Sequence, residues 1–164
     1  MNITKILLFF STLAATTIMA TGFDTNTIDL KIGQQSFSET SSPSYSIGYV
    51  GSMTFDNNIY FGAGLDLQYS NFDSIGSNNG NFVSASTFID ALIGYETSIG
   101  FTPYLIGGVV YANIDGVTYQ EFGYGAGVRY SFNDNWSLGS EYKKYDTGFD
   151  NTIVNGFLSY SWDR

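Results

Sequence analysis

The chain has 164 residues, of which 18% are aromatic and 13% charged, with 19 glycines and two prolines. This length provides one domain, and the composition argues against both a disordered chain and a helical bundle and favours a strand-rich fold. The formal net charge of −9 makes nucleic acid an unsuitable partner, because phosphates repel an acidic surface. The chain has no cysteine, which excludes disulfides and thiolate chemistry.

Residues 1–22 have the pattern of a secretory signal peptide. A positive charge at Lys5 precedes the apolar run Ile6–Phe10, and small residues follow as far as Ala20. Such a stretch is too short to span a bilayer comfortably. Cleavage after Ala20 and cleavage after Gly22 both stay open, and residues 23–164 are expected to form the barrel domain. Removal of Lys5 changes the net charge from −9 to −10.

Eight stretches of alternating apolar and polar or small residues follow the leader, and a period of two is typical of β-strands. In chain order they are Thr27–Gln35, Ser44–Phe55, Ile59–Ser70, Phe82–Glu96, Phe101–Ile114, Phe122–Phe132, Trp136–Tyr145 and Asn151–Trp162. Phe88 and Leu92 interrupt the alternation of the fourth stretch. The fifth is apolar on both faces, so its sides stay unassigned. No stretch of the mature chain keeps a helical period.

The connections between these stretches alternate in length. Short ones, rich in residues that tolerate tight turns, follow the second, fourth and sixth stretches, at 56–58, 97–100 and 133–135. Longer ones follow the first, third and seventh stretches, at 36–43, 71–81 and 146–150, and the one at 115–120 is intermediate. Tight turns at one end and long loops at the other are typical of outer-membrane barrels.

Two folds fit eight alternating strands. With the apolar faces inward the chain would be a soluble, lipocalin-like carrier; with those faces outward it would be a membrane barrel. The polar faces hold Gly and Ser rather than Lys and Glu, which suits a monomer's solvated surface poorly. The stretches also have the length that a tilted strand needs to cross hydrocarbon. Both observations favour the membrane barrel.

The aromatic residues gather at two levels, as they do at the two interfaces of a membrane. Near the tight turns they are Phe55, Tyr95, Phe101, Tyr130, Phe132, Trp136, Tyr160 and Trp162, of which Tyr95, Phe101, Tyr130, Trp136, Tyr160 and Trp162 are our main candidates for an aromatic girdle. Toward the longer connections they are Tyr45, Tyr69, Phe82, Tyr111, Phe122 and Tyr142. We therefore predict an all-β, eight-stranded antiparallel up-and-down transmembrane β-barrel in the bacterial outer membrane, with both termini periplasmic.

Two segments resemble the OmpA/OmpX-like family of small outer-membrane barrels. The segment GYGAGVRYSFNDNWSLGSEYKKYD, Gly123–Asp146, is similar to the family's penultimate hairpin: a glycine-rich strand that ends in an aromatic residue, an Asn-rich turn, Trp-x-Leu and a pair of tyrosines. The segment TPYLIGG, Thr102–Gly108, also resembles a strand of that group. The resemblance implies an interior network of Arg, Glu and Lys that acts as a plug or a gate.

In a barrel of this kind the inward positions collect ionisable side chains. They are Asp29, Lys31, Asp66, Asp90, Glu96, Glu121, Arg129, Glu141 and Lys143. We select Lys31, Asp66, Asp90, Arg129, Glu141 and Lys143 as the lumen charge network, because charges in a confined interior must be paired or wetted. Arg129 and Glu141 lie at similar distances from the 133–135 turn, so they are expected to pair across the hairpin. These charges either fill the lumen and fix strand register or line a narrow aqueous path.

The sequence contains no histidine, which removes the Ser-His-Asp triad, histidine zinc sites and histidine acid–base catalysis. Eight-stranded outer-membrane enzymes that act on lipid A rely on a histidine as a class, so we expect no enzyme, no cofactor and no metal site. We expect a structural or surface-interaction, adhesin-like protein, with a narrow pore for ions or small solutes as the alternative. The expected partners are outer-membrane lipid and lipopolysaccharide, the assembly machinery, and a host or environmental ligand held by the loops at 36–43 and 71–81. We expect a monomer.

Overall fold

The computed structural model describes residues 23–37, 40–75, 78–114, 117–146 and 150–163. They form a closed antiparallel barrel in which each strand pairs with its neighbours in sequence and the first strand pairs with the last. The strands are β1 (Thr25–Phe37), β2 (Thr40–Thr54), β3 (Ile59–Ile75), β4 (Asn78–Tyr95), β5 (Phe101–Ile114), β6 (Val117–Ser131), β7 (Trp136–Asp146) and β8 (Asp150–Asp163). The predicted eight-stranded, up-and-down fold is confirmed. Among the described residues, no helix is long and apolar enough to cross a membrane.

Three tight turns lie at one end of the barrel, which we call the turn end. The first places Asn58 at a φ of 63°, a left-handed conformation that asparagine tolerates better than most residues. The second places Gly100 at a φ of 78°. In the third, the side-chain oxygen of Asn133 accepts hydrogen bonds from the backbone N–H groups of Asn135 (2.9 Å) and Trp136 (2.7 Å). Asparagine residues therefore shape two of these turns and Gly100 the other, as the turn-forming residues of the sequence predict.

The opposite end, which we call the far end, differs from the prediction of long loops. In β1 and β2 the backbone ladder continues to the pairs Ser36–Ser41 and Phe37–Thr40, and in β3 and β4 it continues to Ile75–Asn78. The predicted loops at 36–43 and 71–81 are therefore wrong for all their described residues, which are strand; residues 38, 39, 76 and 77 lie outside the described part. The Ser- and Asn-rich composition of these segments predicts loops. In the barrel, however, cross-strand hydrogen bonds continue through the described residues and extend the strands.

Each strand turns its apolar face outward. Leu30 is 59% exposed and Ile32 is 63% exposed, whereas Arg129 is only 7% exposed. Leu65 lies on the outward face and is buried all the same, because it packs with Phe23, Tyr49 and Met53 on the outside of the barrel. A soluble carrier needs the opposite arrangement, since an uncovered belt of aliphatic side chains would face water. The lipocalin-like alternative is therefore wrong.

The fifth predicted stretch, whose sides the sequence leaves open, coincides with β5. Thr102, Tyr104, Ile106 and Val110 point inward and are buried, while Leu105 is 63% exposed on the outside. Both faces are apolar because the outer one is the exposed belt and the inner one contributes to apolar clusters inside the barrel.

Candidate functional site: the charged interior

An ionic layer crosses the middle of the barrel. Lys31 of β1 contacts Asp66 of β3 at 2.8 Å and Glu141 of β7 at 2.9 Å. Lys143 contacts Asp66 at 2.8 Å and Glu141 at 3.5 Å, and it donates a short hydrogen bond to Asp90 of β4. All five side chains are at most 7% exposed. Five of the six residues selected for the lumen charge network thus lie together, on four different strands.

Arg129, the sixth residue, lies nearer the turn end and is connected to the ionic layer through Asp29, whose Oδ2 atom lies 3.9 Å from Lys31 Nζ. Its guanidinium donates from Nη2 to the Oδ1 and Oδ2 atoms of Asp29 at 3.3 and 3.4 Å. Ser159 also donates to Asp29, at 2.6 Å. The expected pairing of Arg129 with Glu141 is therefore wrong: Arg129 stands opposite Gly139 in the ladder and reaches across to β1, while Glu141 accepts from Lys31.

Two apolar clusters lie on either side of the ionic layer along the barrel axis. The first, on the side of the turn end, contains Val50, Tyr60, Leu92, Tyr104, Ile106 and Phe157. The second, on the side of the far end, contains Phe88, Val110, Ala112, Tyr145 and Ile153. Successive inward positions of β4 show the order directly, because Leu92 belongs to the first cluster, Asp90 to the ionic layer and Phe88 to the second.

This layering explains why Phe88 and Leu92 interrupt the alternation of β4. Both side chains point inward and fill the lumen on the two sides of Asp90. Aromatic faces also contact the cations. Lys143 Nζ lies 5.1 Å from the ring centroid of Phe88, and the Phe157 ring lies 5.8 Å from Lys31 Nζ and 5.5 Å from Arg129 Cζ. Such distances are typical of cation–π contacts, in which the face of the ring attracts the cation. Sequence reasoning missed Phe157 as a functional residue, although it shares the inward parity of Asn155 and Ser159.

Glycines on the inward faces create the room that these large side chains need. A Cβ atom on Gly127 would collide with the ring of Tyr104, and one on Gly139 would collide with the ring of Phe157. In the ionic layer itself, a Cβ on Gly48 would collide with the Asp66 carboxylate and one on Gly108 with that of Asp90. Residues without side chains are thus placed opposite the ions and aromatic rings of neighbouring strands.

Polar side chains continue the filling toward the far end. Gln68 donates to Gln35 at 3.0 Å, Gln35 donates to Asn151 at 3.2 Å, and Ser44 donates to Asn155 at 3.0 Å. Still closer to the far end, the rings of Phe37 and Phe72 meet edge to face with centroids 5.4 Å apart, and both residues are buried.

At the turn end, in contrast, a hydroxyl-rich vestibule of about 370 Å³ opens to the outside, with Arg129 and Tyr60 among its lining residues. Glu96 lines it and accepts from Thr54 at 2.8 Å, while Glu121 is half-buried toward the far end.

The six girdle candidates lie on the outside at the turn end. Tyr95, Phe101, Tyr130, Trp136 and Tyr160 are each between 41% and 49% exposed, and Trp162 is half-buried. Trp136 packs edge to face on Tyr160 at 5.1 Å, and Tyr160 stacks on Trp162 at 6.2 Å. In the far-end group, Tyr45, Tyr69 and Tyr142 are exposed. Phe82 does not join them, because it has the inward parity of β4 and stands opposite the buried Phe72.

Among the described residues, the buried part of the interior holds four carboxylates, Asp29, Asp66, Asp90 and Glu141, against the three cations Lys31, Arg129 and Lys143. Each cation touches at least one carboxylate, whereas Asp66 Oδ1 and Asp90 Oδ1 have no hydrogen-bond partner. Such an arrangement fixes the positions of several strands through shared contacts.

Solved structures of small outer-membrane barrels share this architecture at low sequence identity. Ail, the attachment invasion locus protein of Yersinia pestis, is 12% identical with a TM-score of 0.61, covering 85% of this chain and 99% of Ail. Neisserial surface protein A is 17% identical with a TM-score of 0.55, covering 83% and 95%. The outer membrane enzyme PagL is 16% identical with a TM-score of 0.53, covering 82% and 97%. At these identities the likeness concerns the fold alone. No curated protein matches the sequence.

The family model for the outer membrane protein beta-barrel domain matches residues 6–161, which is nearly the whole chain. Its match begins within the segment that we predict as a signal peptide. The closed eight-stranded topology, the outward apolar belt and this match agree with one another. The protein is thus located in the bacterial outer membrane, and the chain belongs to the outer membrane protein beta-barrel domain family.

Proposed function

We propose that the protein is a structural and surface-interacting component of the outer membrane whose lumen does not conduct. The observation that carries this proposal is the ionic layer held between two apolar clusters. The barrel of eight strands leaves an interior that side chains can fill, and here they come from β1, β2, β3, β4, β5, β7 and β8. A solute on the barrel axis would have to displace both apolar clusters and the ion pairs between them.

The energetics favour a closed interior. An ion that enters the ionic layer must separate Lys31 or Lys143 from carboxylates 2.8 to 2.9 Å away while losing its own hydration. Exposing an unpaired charge in such a site carries a penalty of several kcal/mol. Arg129 and Tyr60 are among the residues that line the turn-end vestibule, and we infer that no pore continues from it through the ionic layer.

Planar-bilayer recording tests the closed lumen. We expect the reconstituted wild-type protein to give no steady single-channel conductance, because the filled interior leaves no continuous water path. Heat-modifiable migration on a gel verifies that the sample is a folded barrel. A steady conductance of the wild type would contradict this proposal, and a change of that conductance in Arg129→Ala would show that the ions pass through the lumen.

The surface role rests on strands that are longer than a membrane requires. β3 has 17 residues and β4 has 18, whereas about 9–11 residues of a tilted strand cross the hydrocarbon. With the tight turns on the periplasmic side, as in barrels of this type, the surplus of the β3–β4 hairpin projects from the outer surface. The β3–β4 hairpin is then the main contact surface for a host or environmental partner.

The charge of the outer surface restricts the kind of partner. Of the basic residues that the structure describes, three face the interior and only Lys144 lies on an outward-facing position. Ail forms a complex with the heparin analogue sucrose octasulfate. With so few outward cations, this chain is expected to select a neutral or basic partner surface instead of a sulfated polysaccharide.

Adhesion of cells that express the protein tests this surface role. We expect these cells to bind immobilised neutral or basic proteins above the level of cells without the barrel, and not to bind immobilised heparin. Replacing residues 73–80 by a tight turn removes the projecting part of the β3–β4 hairpin and should abolish the gain while the barrel stays heat-modifiable. Unchanged adhesion after this shortening would assign the binding to another surface.

The girdle at the turn end predicts where the two tryptophans lie in the bilayer. Trp136 and Trp162 are the chain's only tryptophans, and both lie outward at the turn end. We expect phospholipids brominated near the headgroup to quench their fluorescence more strongly than lipids brominated near the chain terminus, since indole rings prefer the interface. Stronger quenching from the chain terminus would place this end inside the hydrocarbon.

We further infer that the protein is not an enzyme. The fold does not decide this question, because PagL is an enzyme with a similar barrel. The absence of histidine from the whole sequence supports the inference, since the acyl-transfer and hydrolytic triads that such a barrel could present need a base beside the nucleophile. Incubation with lipopolysaccharide and phospholipids, followed by mass spectrometry of the lipids, is expected to show no change in acylation.

A further inference from the structure

A recess lies on the outward face of the barrel where β4, β5 and β6 approach the turn end. Its volume is about 520 Å³, and we call it the β5 groove. The outward side chains that line it are Ile59, Ile93, Tyr95, Pro103, Leu105 and Ala126. Its lining is almost wholly apolar, and it faces away from the lumen.

The groove exists because small residues interrupt a belt of large ones. Pro103 and Ala126 provide little side chain on β5 and β6, while Ile93 and Leu105, which stand opposite each other in the ladder, are more than half exposed beside them. Behind the groove, Tyr104 points inward and covers Gly127, so the barrel wall is closed at this place. The recess therefore opens only toward the surroundings of the barrel.

In a bilayer those surroundings are lipid chains. The groove begins beside Tyr95, at the level of the aromatic residues of the turn end, and extends toward the middle of the apolar belt along Leu105 and Ala126. A groove with this depth and lining fits a hydrocarbon chain whose headgroup lies at the turn-end interface.

The charges at that interface select the headgroup. The turns of this end carry the exposed Asp56 and Asp134, and the described residues there include no basic side chain apart from the buried Arg129. Beside the groove, Asn58 donates to the hydroxyl of Tyr95 at 3.4 Å, which adds polar groups but no cation. An anionic headgroup would meet net repulsion here, whereas an ammonium group would meet carboxylates.

We propose that the β5 groove is a binding site for an amine-bearing, zwitterionic phospholipid of the periplasmic leaflet. One acyl chain lies against Pro103 and Ala126, beside the exposed side chains of Ile93 and Leu105. The ammonium group of the headgroup lies near the turn that contains Asp56.

Native mass spectrometry of the full barrel, released from bilayers with equal amounts of phosphatidylethanolamine and phosphatidylglycerol, tests the site. The wild-type protein should retain one phosphatidylethanolamine molecule in preference to phosphatidylglycerol. Ala126→Leu fills the groove and should weaken retention about tenfold, which corresponds to about 1.4 kcal/mol. Ala91→Leu is the matched control, because Ala91 faces outward on β4 but does not line the groove, and its lipid retention should equal that of the wild type.

A second variant separates the headgroup from the chain. Asp56→Asn should reduce the preference for phosphatidylethanolamine over phosphatidylglycerol without reducing the total amount of bound lipid. Equal retention by Ala126→Leu and Ala91→Leu, or a preference for phosphatidylglycerol in the wild type, would overturn the proposal. A dimer that Ala126→Leu dissolves would overturn it as well, since the groove would then hold a second copy of the chain. Heat-modifiable migration of each variant shows that its barrel is folded.

Discussion

Replacing Lys143 with methionine is expected to destabilise the barrel by about 3–5 kcal/mol, because it removes one partner from a buried ionic cluster. Lys143 touches Asp66 and Glu141 and donates a short hydrogen bond to Asp90. Without it, Asp90 loses its one cationic contact among the described residues, and Asp66 keeps its contact with Lys31. The free energy of unfolding, measured by urea titration of the protein folded into lipid vesicles, gives the difference directly.

Lys144 provides a matched control one residue away. It lies on the outward face of β7, half-buried, opposite Tyr124 and Thr152. Lys144→Met removes the same charge from the same strand but leaves the interior intact. Because a charge near the interface changes barrel stability by only about 0–1 kcal/mol, this variant should unfold close to the wild type. Equal destabilisation by the two substitutions would show that the interior ion pairs contribute nothing specific.

The excess of interior carboxylates adds a second expectation to the same experiment. Asp90→Asn removes the charge that depends on Lys143, so the double variant Lys143→Met with Asp90→Asn should be more stable than the sum of the single effects predicts. Contacting residues couple by about 0.5–3 kcal/mol, and this coupling should be positive here. Strict additivity would mean that Asp90 and Lys143 do not share a dry site.

The faces of the barrel could be predicted from sequence because a strand alternates its side chains whatever its partners are. Arg129 and Lys143 are thus inward by parity alone. The partner of Arg129 could not be predicted this way, since Asp29 is 100 residues distant in sequence and becomes its neighbour only when the barrel closes. Glu141, the expected partner, was the locally plausible choice within one hairpin.

The far ends of the strands and the interior layers escaped prediction for related reasons. Residues 36–43 have a loop-like composition, yet the ladder of β1 and β2 extends through the described ones because each continues to hydrogen-bond its opposite residue. Phe88 and Leu92 break the polar pattern of the inward face of β4, and the reason is that the lumen contains apolar layers on both sides of the charges. Interior volume is a property of the closed barrel and has no local sequence signal.

Replacing Gly127 with valine is expected to destabilise the barrel by about 1–3 kcal/mol through overpacking. The three atoms nearest to a Cβ at this position all belong to the Tyr104 side chain, which is buried in the apolar cluster on the turn-end side of the ionic layer. The ring must therefore move into space that Tyr60, Ile106 and their neighbours already fill. Urea titration in lipid vesicles measures the change, with heat-modifiable migration as the check of folding.

Gly107 is the matched control for this substitution, since it is also a strand glycine but faces outward. A Cβ there meets nothing within 4 Å, so Gly107→Val should leave stability unchanged or raise it by about 0.4–1 kcal/mol through the lower entropy of the unfolded chain. The collision itself is tested by Tyr104→Leu, which removes the ring that blocks the new side chain. In that background Gly127→Val should be less destabilising than in the wild type, by a coupling energy of about 0.5–3 kcal/mol. An undiminished effect would place the cause in the backbone of β6 and not in the filling of the lumen.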